Sequence, residues 1–111
     1  MKINHFHVYV RDLPAATEWF QRVCEAKLGY HDEDMASLSL GGVQLLLDRS
    51  DADSRSTIGF STEDCDADFK AVTARGAIAT EPPEDRPWGV RAAYLRGPGA
   101  VIVELEQMLP R

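Results

Sequence analysis

The sequence is short of cysteines and has no basic excess, and both shortages exclude classes of protein. Its two cysteines, Cys24 and Cys65, form neither a CxxC pair nor a cluster with histidine. We therefore expect reduced thiols that pack as small apolar side chains in a cytoplasmic protein. With 18 acidic and 12 basic residues the formal net charge is −6, whereas non-specific binding of nucleic acid needs a basic surface. We expect no nucleic-acid partner.

Long apolar runs are also missing. No cationic and then apolar leader opens the sequence, and no apolar stretch approaches the length of a membrane-spanning helix. We therefore expect a protein that is neither exported nor embedded in a membrane. At 111 residues the chain fits one domain, large enough to bury a core without disulfides or a structural metal.

The stretch from Asn4 to Phe20 begins with a strand pattern. Phe6, Val8 and Val10 alternate with more polar residues, which predicts a strand with one face on an apolar core and one polar face. The polar face holds His5, His7, Tyr9 and Arg11.

A helix is predicted directly after this strand. Asp12 is a good N-cap and Pro14 fits a first helical turn. Ala16, Phe20 and Val23 then recur at helical spacing. The run Lys27-Leu28-Gly29 predicts a basic last turn and a glycine stop.

A hairpin and a linker follow. Ala36–Leu40 alternates like a short strand, Gly41-Gly42 predicts a tight turn, and Val43–Leu47 predicts a more buried returning strand. Residues 48–56 are polar and rich in turn formers, so we expect a surface linker.

The opening pattern then recurs. Residues 57–61 predict a strand, Asp64 caps a second helix, and Arg75-Gly76 ends it. A shift of 52 residues carries Asp12 onto Asp64 without gaps. Residues 91–96 and 101–105, joined by a Gly-Pro-Gly turn, repeat the hairpin. The sequence therefore predicts an internal duplication of a strand, a helix and a hairpin.

Residues 80–89 separate the second helix from its hairpin. Three prolines exclude a helix and a central strand there. We expect an extended loop that carries Trp88.

These patterns resemble the vicinal oxygen chelate superfamily, which includes glyoxalase I, bleomycin-resistance-type binding proteins, fosfomycin-resistance enzymes and extradiol dioxygenases. The resemblance covers essentially the whole chain and lies in HFHVYVRDLPAATEWF, TIGFSTEDCDADF and WGVRAAYLRGPGAVIVELEQ. It implies an α+β fold in which two tandem βαβββ-type modules form a curved mixed sheet around a cleft, with the helices on the outer face. The implied organisation is one domain over 1–111, with module one at 1–49, a linker at 50–56 and module two at 57–111.

Enzymes of the superfamily typically hold one divalent metal. The resemblance carries a first ligand onto His5 and a last ligand onto Glu104, which could also act as a catalytic base. Thr57 occupies the position where enzymes of the superfamily usually have a second histidine. Leu46 aligns with Glu104 when VQLLLD is matched to VIVELE. Stable sites need about three protein ligands, so the metal site is incomplete and any cofactor stays open. Substitute ligands could come from His7 or, more weakly, from Gln44 and Asp48.

A small-molecule site is the other implication. His5, His7 and Tyr9 could contact a ligand from the strand face, or could be a polar group on a half-exposed strand. Trp88 and Arg91 could form a stacking and anion-holding wall, or Trp88 could anchor its loop.

Two functions remain open on the sequence. One is a binding protein that sequesters a small organic compound. The alternative is a divalent-metal-dependent lyase, isomerase or dioxygenase that uses His5 and Glu104. A pure dimerisation module is a weaker third option. The resemblance also implies a homodimer, and the compound itself is not specified by the sequence.

Overall fold

The computed structural model describes residues 4–110. The chain divides into two compact units. The first unit runs to Ser54 and includes Pro98–Ala100, and the second holds Arg55–Gly97 and the residues from Val101 onward. No helix in the described range is long and apolar enough to cross a membrane.

Each unit contains one strand, one helix and three more strands. The first unit contains β1 (His5–Val10), α1 (Leu13–Cys24), β2 (Lys27–His31), β3 (Met35–Leu40) and β4 (Val43–Arg49). The second unit contains β5 (Ser56–Ser61), α2 (Cys65–Ala74), β6 (Ile78–Asp85), β7 (Val90–Arg96) and β8 (Val101–Met108). The predicted α+β fold with two tandem βαβββ modules is confirmed.

The two units have the same sheet topology. Their strand orders are β1-β4-β3-β2 and β5-β8-β7-β6. In each sheet the first strand pairs in parallel with the last, and the other neighbours are antiparallel. Both sheets are therefore mixed, as the resemblance implied.

The helices begin where their caps were predicted. The side chain of Asp12 accepts a hydrogen bond from the backbone N–H of Ala15, and that of Asp64 accepts one from Ala67, both at 3.0 Å. These bonds satisfy amides that the first helical turn leaves without a backbone partner. Each helix therefore starts at the same place in its repeat.

Each helix packs on one face of its own sheet. Val8 and Val10 of β1 are 1% exposed, and Leu45 and Leu47 of β4 are fully buried with Phe20 of α1. In the second unit the corresponding core includes Ile58, Cys65, Val72, Leu95, Val103 and Leu105. The residues between these in each strand point to the opposite face, because side chains alternate along a strand.

The end predicted for the first helix is wrong. Helix α1 ends at Cys24, and Glu25 follows in the left-handed conformation with φ of 56°. The N–H of Ala26 then reaches back to the carbonyl of Phe20 at 3.1 Å, which is the chain reversal that a glycine usually provides. Residues 27–29 begin β2 instead of ending the helix.

The loop predicted over residues 80–89 is also wrong in its first half. Strand β6 runs through Pro82 and Pro83 and pairs with β7. Proline is tolerated because β6 is an edge strand, where a missing N–H need not break a ladder on both sides. The register shifts on both sides of Glu81. Only Arg86–Gly89 form a turn, closed by a 3.1 Å bond from the N–H of Gly89 to the carbonyl of Arg86.

The burial of α1 generates a stability prediction. Replacing Phe20 with alanine should lower the free energy of unfolding by about 3–5 kcal/mol, because a fully buried aromatic side chain leaves a cavity that the core fills only in part. Urea denaturation measures this change. The exposed neighbour Gln21 provides the control, since Gln21→Ala should change stability little. A loss below 1 kcal/mol for Phe20→Ala would show that α1 does not hold the core together.

Candidate functional site

The predicted site residues belong mainly to the sheet faces that turn away from the helices. We define the first polar face as the side of the first sheet opposite α1. It holds His5, His7, Tyr9, Ser37, Gln44, Leu46 and Asp48. We define the second polar face as the side of the second sheet opposite α2. It holds Thr57, Gly59, Tyr94, Arg96, Ile102, Glu104 and Glu106.

On the first polar face a histidine is paired with a carboxylate. His7 Nδ1 lies 2.6 Å from Asp48 Oδ2, and the two side chains are 45% and 26% exposed. In the neutral imidazole, an Nδ1–H that donates to Asp48 leaves Nε2 as a hydrogen-bond acceptor. The ring of His5 meets that of His7 edge-to-face, with centroids 5.3 Å apart. This strand therefore presents two imidazoles, one of them oriented by an acid.

The rest of the first polar face is mixed in character. Ser37 donates to the side-chain oxygen of Gln44 at 2.8 Å. Tyr9 is 48% exposed, and its backbone N–H donates to Ser54 Oγ at 3.0 Å. Leu46 pairs in register with His7 and adds an apolar side chain among these polar groups. The face can therefore contact both an apolar body and hydrogen-bonding groups of a ligand.

On the second polar face a carboxylate is paired with a phenol. Tyr94 lies directly opposite Glu104 on the neighbouring strand, and its Oη donates to Glu104 Oε2 at 2.9 Å. The hydrogen bond to Glu104, with smaller effects of burial and charge, raises the pKa of Tyr94 above its ordinary value. The guanidinium of Arg86 lies 5.4 Å from the centre of the Tyr94 ring. Tyr94 therefore stays a hydrogen-bond donor to Glu104 at neutral pH.

Arg91 lies on the helix side of the second sheet. Its guanidinium donates to Asp66 at the start of α2 and to Asp85 at the end of β6, each at 3.0 Å at the closest. The hydrogen bond to Asp66 raises the pKa of Arg91 the most, and the hydrogen bond to Asp85 raises it further. The contacts give Arg91 a part in joining α2 to the β6–β7 hairpin, and its predicted role in ligand binding stays a prediction. Trp88 is 63% exposed in the turn before β7, and its role also stays a prediction.

Sequence reasoning missed Tyr94 and Arg86. Tyr94 was visible in principle, because counting back from Glu104 through the Gly-Pro-Gly turn brings a residue near position 94 opposite it. Arg86 was not visible, because its position depends on the tight turn that follows β6.

The strand register can be compared with the alignment of Leu46 and Glu104 that was made from the sequence. Leu46 pairs with His7 and Glu104 pairs with Gly59, so Leu46 and Glu104 occupy equivalent places.

The donor set on each polar face does not fit the divalent metal that the resemblance implies. Neither described unit gathers three or more His, Cys, Asp or Glu side chains in a position to hold an ion. One oxygen of Asp48 is bonded to His7 and one oxygen of Glu104 to Tyr94. The place equivalent to Glu104 holds Leu46, which has no donor atom.

A cavity of the first unit lies elsewhere. It has a volume of about 820 Å³ and lies beside the start of α1, where Trp19 and Arg11 line it. None of the site residues predicted from the sequence lines this cavity. The polar faces therefore remain the candidate site.

Known proteins resemble this chain over nearly its whole length. The family model described as Glyoxalase/Bleomycin resistance protein/Dioxygenase superfamily matches residues 2–105. No curated protein sequence matches significantly.

Solved structures share the fold at low sequence identity. A glyoxalase/bleomycin resistance protein/dioxygenase from Nocardioides is 21% identical with a TM-score of 0.87, covering 98% of this chain and 84% of its own. TioX from Micromonospora sp. ML1 is 22% identical with a TM-score of 0.83, covering 98% and 100%. Lactoylglutathione lyase from Agrobacterium tumefaciens is 20% identical with a TM-score of 0.82, covering 96% and 92%.

The bond between Tyr94 and Glu104 predicts a change in titration. Glu104→Gln should lower the pKa of Tyr94 toward that of a free phenol, because removing the carboxylate charge makes the phenolate less unfavourable. The ¹³Cζ resonance of labelled tyrosine, followed from pH 8 to 12, measures the shift.

A second tyrosine supplies the matched control. The hydrogen bond from Tyr30 to Asp32 raises the pKa of Tyr30 in the same way. Glu104→Gln should leave the pKa of Tyr30 unchanged, whereas Asp32→Asn should lower it and spare Tyr94. An unchanged Tyr94 titration in Glu104→Gln would contradict the pairing.

Proposed function

Because the chain belongs to the Glyoxalase/Bleomycin resistance protein/Dioxygenase superfamily, we propose that it is a binding protein for a small organic compound. The compound is held by hydrogen bonds and apolar contacts from the polar faces of the sheets, without a tightly bound metal. The observation that carries the proposal is the register equivalence of Leu46 with Glu104. A leucine at that place contributes apolar surface, which suits an organic ligand and cannot coordinate an ion.

The hydrogen-bonded pairs support the same function. Asp48 orients His7, and Tyr94 orients Glu104, so each face presents a polar group whose direction is fixed before a ligand arrives. Fixed polar groups beside aromatic and aliphatic surface are typical of small-molecule sites. His5 and Tyr9 complete the ligand-contacting groups of the first polar face in this proposal.

The proposed assembly is a homodimer in the cytoplasm. Trp88, Ile78 and Met108 are each more than 60% exposed, and burial of such side chains between two copies would be favourable. Neither Cys24 nor Cys65 forms a disulfide, and Cys65 is fully buried. Cysteines without a disulfide suit the reducing conditions of the cytoplasm.

Metal analysis tests the binding function against metal-dependent catalysis. The purified protein should contain no stoichiometric Ni, Zn, Mn or Fe by elemental analysis, and adding these ions should not raise its melting temperature. His5→Ala should leave the metal content unchanged, as should His31→Ala, the control on the edge strand β2. Stoichiometric metal that His5→Ala removes and His31→Ala retains would overturn the proposal and favour the metal-dependent alternative.

Sedimentation equilibrium tests the homodimer. The protein should sediment at twice the chain mass of 12.3 kDa at micromolar concentration, because exposed apolar side chains of this size favour self-association. A single species at the chain mass at 100-fold higher concentration would contradict the dimer. That result would leave the small-molecule function untouched.

A further inference from the structure

Glu104 has two carboxylate oxygens in different surroundings. Oε2 accepts the hydrogen bond from Tyr94. Oε1 faces Gly59 on the neighbouring strand β5, and a Cβ added at Gly59 would lie 3.7 Å from it. Gly59 is exposed and points to the second polar face, between Thr57 and Ser61. One oxygen of the carboxylate is therefore hydrogen-bonded to Tyr94, and the other borders an open space beside Gly59.

Tyr94, which donates the hydrogen bond to Glu104, is itself in contact with Arg86. The Arg86 side chain is only 14% exposed, and one of its Nη atoms donates to the carbonyl of Ala92 at 3.3 Å. Its guanidinium covers the Tyr94 ring, and Glu84 lies 3.6 Å from the other Nη atom. A cation over an aromatic ring stabilises that placement of the ring. The phenol can therefore fix the direction of the carboxylate.

The second polar face carries charges of both signs, and Arg96 pairs in register with Ile102, two residues before Glu104. Glu106 lies two residues beyond Glu104 on the same strand and the same face. Arg91, the cation that the sequence suggested for an anionic ligand, is bonded to Asp66 and Asp85 on the helix side. A carboxylate oxygen forms its strongest hydrogen bonds with donors that carry positive charge.

We propose that Glu104 Oε1 and the space over Gly59 form a subsite for a cationic N–H group of the ligand, an ammonium or amidinium, with Tyr94 as the positioning residue. This inference rests on the proposed function and specifies the chemistry of its ligand. Glycine is the residue that the subsite requires at position 59, because any side chain there would occupy the space beside Oε1.

A pair of matched probes tests the subsite. Benzylammonium and benzoate share an aromatic body and differ in the charge and donor capacity of the head group. In ¹⁵N-labelled protein, benzylammonium should shift the amide resonances of Gly59 and its neighbours on β5, and benzoate should not. Glu104→Gln should weaken binding of benzylammonium about tenfold, the value of one charge-assisted hydrogen bond.

Two further variants separate positioning from folding. Gly59→Ala should abolish the benzylammonium shifts, because the added methyl occupies the space beside Oε1. Stability should be retained, because the methyl meets Oε1 at an ordinary contact distance. Gly29→Ala, at a glycine of β2 where a Cβ would meet a carbonyl at 3.5 Å, should leave binding unchanged. Tyr94→Phe keeps the charge of Glu104 and frees its orientation, so affinity should fall about threefold while benzylammonium is still preferred to benzoate.

The outcomes distinguish the subsite from the function. Equal shifts of Gly59 by both probes, or full binding in Gly59→Ala, would overturn the subsite. Shifts confined to the first polar face would also overturn it while supporting the proposed function. No shift on either face with either probe would overturn the subsite and count against the proposed function as well.

Discussion

Parallel pairing of the first and last strands within each unit is the constraint on which the other features depend. β1 lies beside β4 and β5 beside β8, each paired over six residues without a register shift. Because the side-chain period of a strand is two, that register decides which residues face the helix and which face away. It places Val8 with Leu47 on the core side of the first sheet, and it leaves His7 and Asp48 on the other side.

The helix side of each sheet holds most of the buried apolar side chains. Phe20 and Leu95 are fully buried on the helix sides of their sheets. Arg91 belongs to the helix side as well, since its bonds run to α2 and to the end of β6. Its two partners are more than 60% exposed, so each pair adds little stability by itself. Its clearer effect is to join the start of α2 to the end of β6.

Local patterns predicted the repeated scaffold, and features that depend on register or on unusual backbone were missed. The capping aspartates and the alternation after Asn4 are local signals, so both helix starts were predicted correctly. Glu25 occupies a left-handed position that sequence rules assign to glycine, which hid the end of α1. Pro82 and Pro83 suggested a loop because sequence does not reveal that β6 lies at a sheet edge. Tyr94 was missed because its partner lies ten residues away on the next strand.

The two units have kept one scaffold while their polar pairs have diverged. In the first unit the hydrogen-bonded pair joins β1 to β4 through His7 and Asp48. In the second unit the hydrogen-bonded pair joins β7 to β8 through Tyr94 and Glu104. The residue equivalent to His7 in the second unit is Gly59. Each change is confined to one face, because a substitution there does not disturb the core behind it. A glycine where the repeat has an imidazole therefore costs the fold little, and it leaves room beside a carboxylate that a neighbouring tyrosine already holds. Space and a fixed acceptor at one position are what a ligand-binding subsite requires, whereas neither would improve the stability of the sheet.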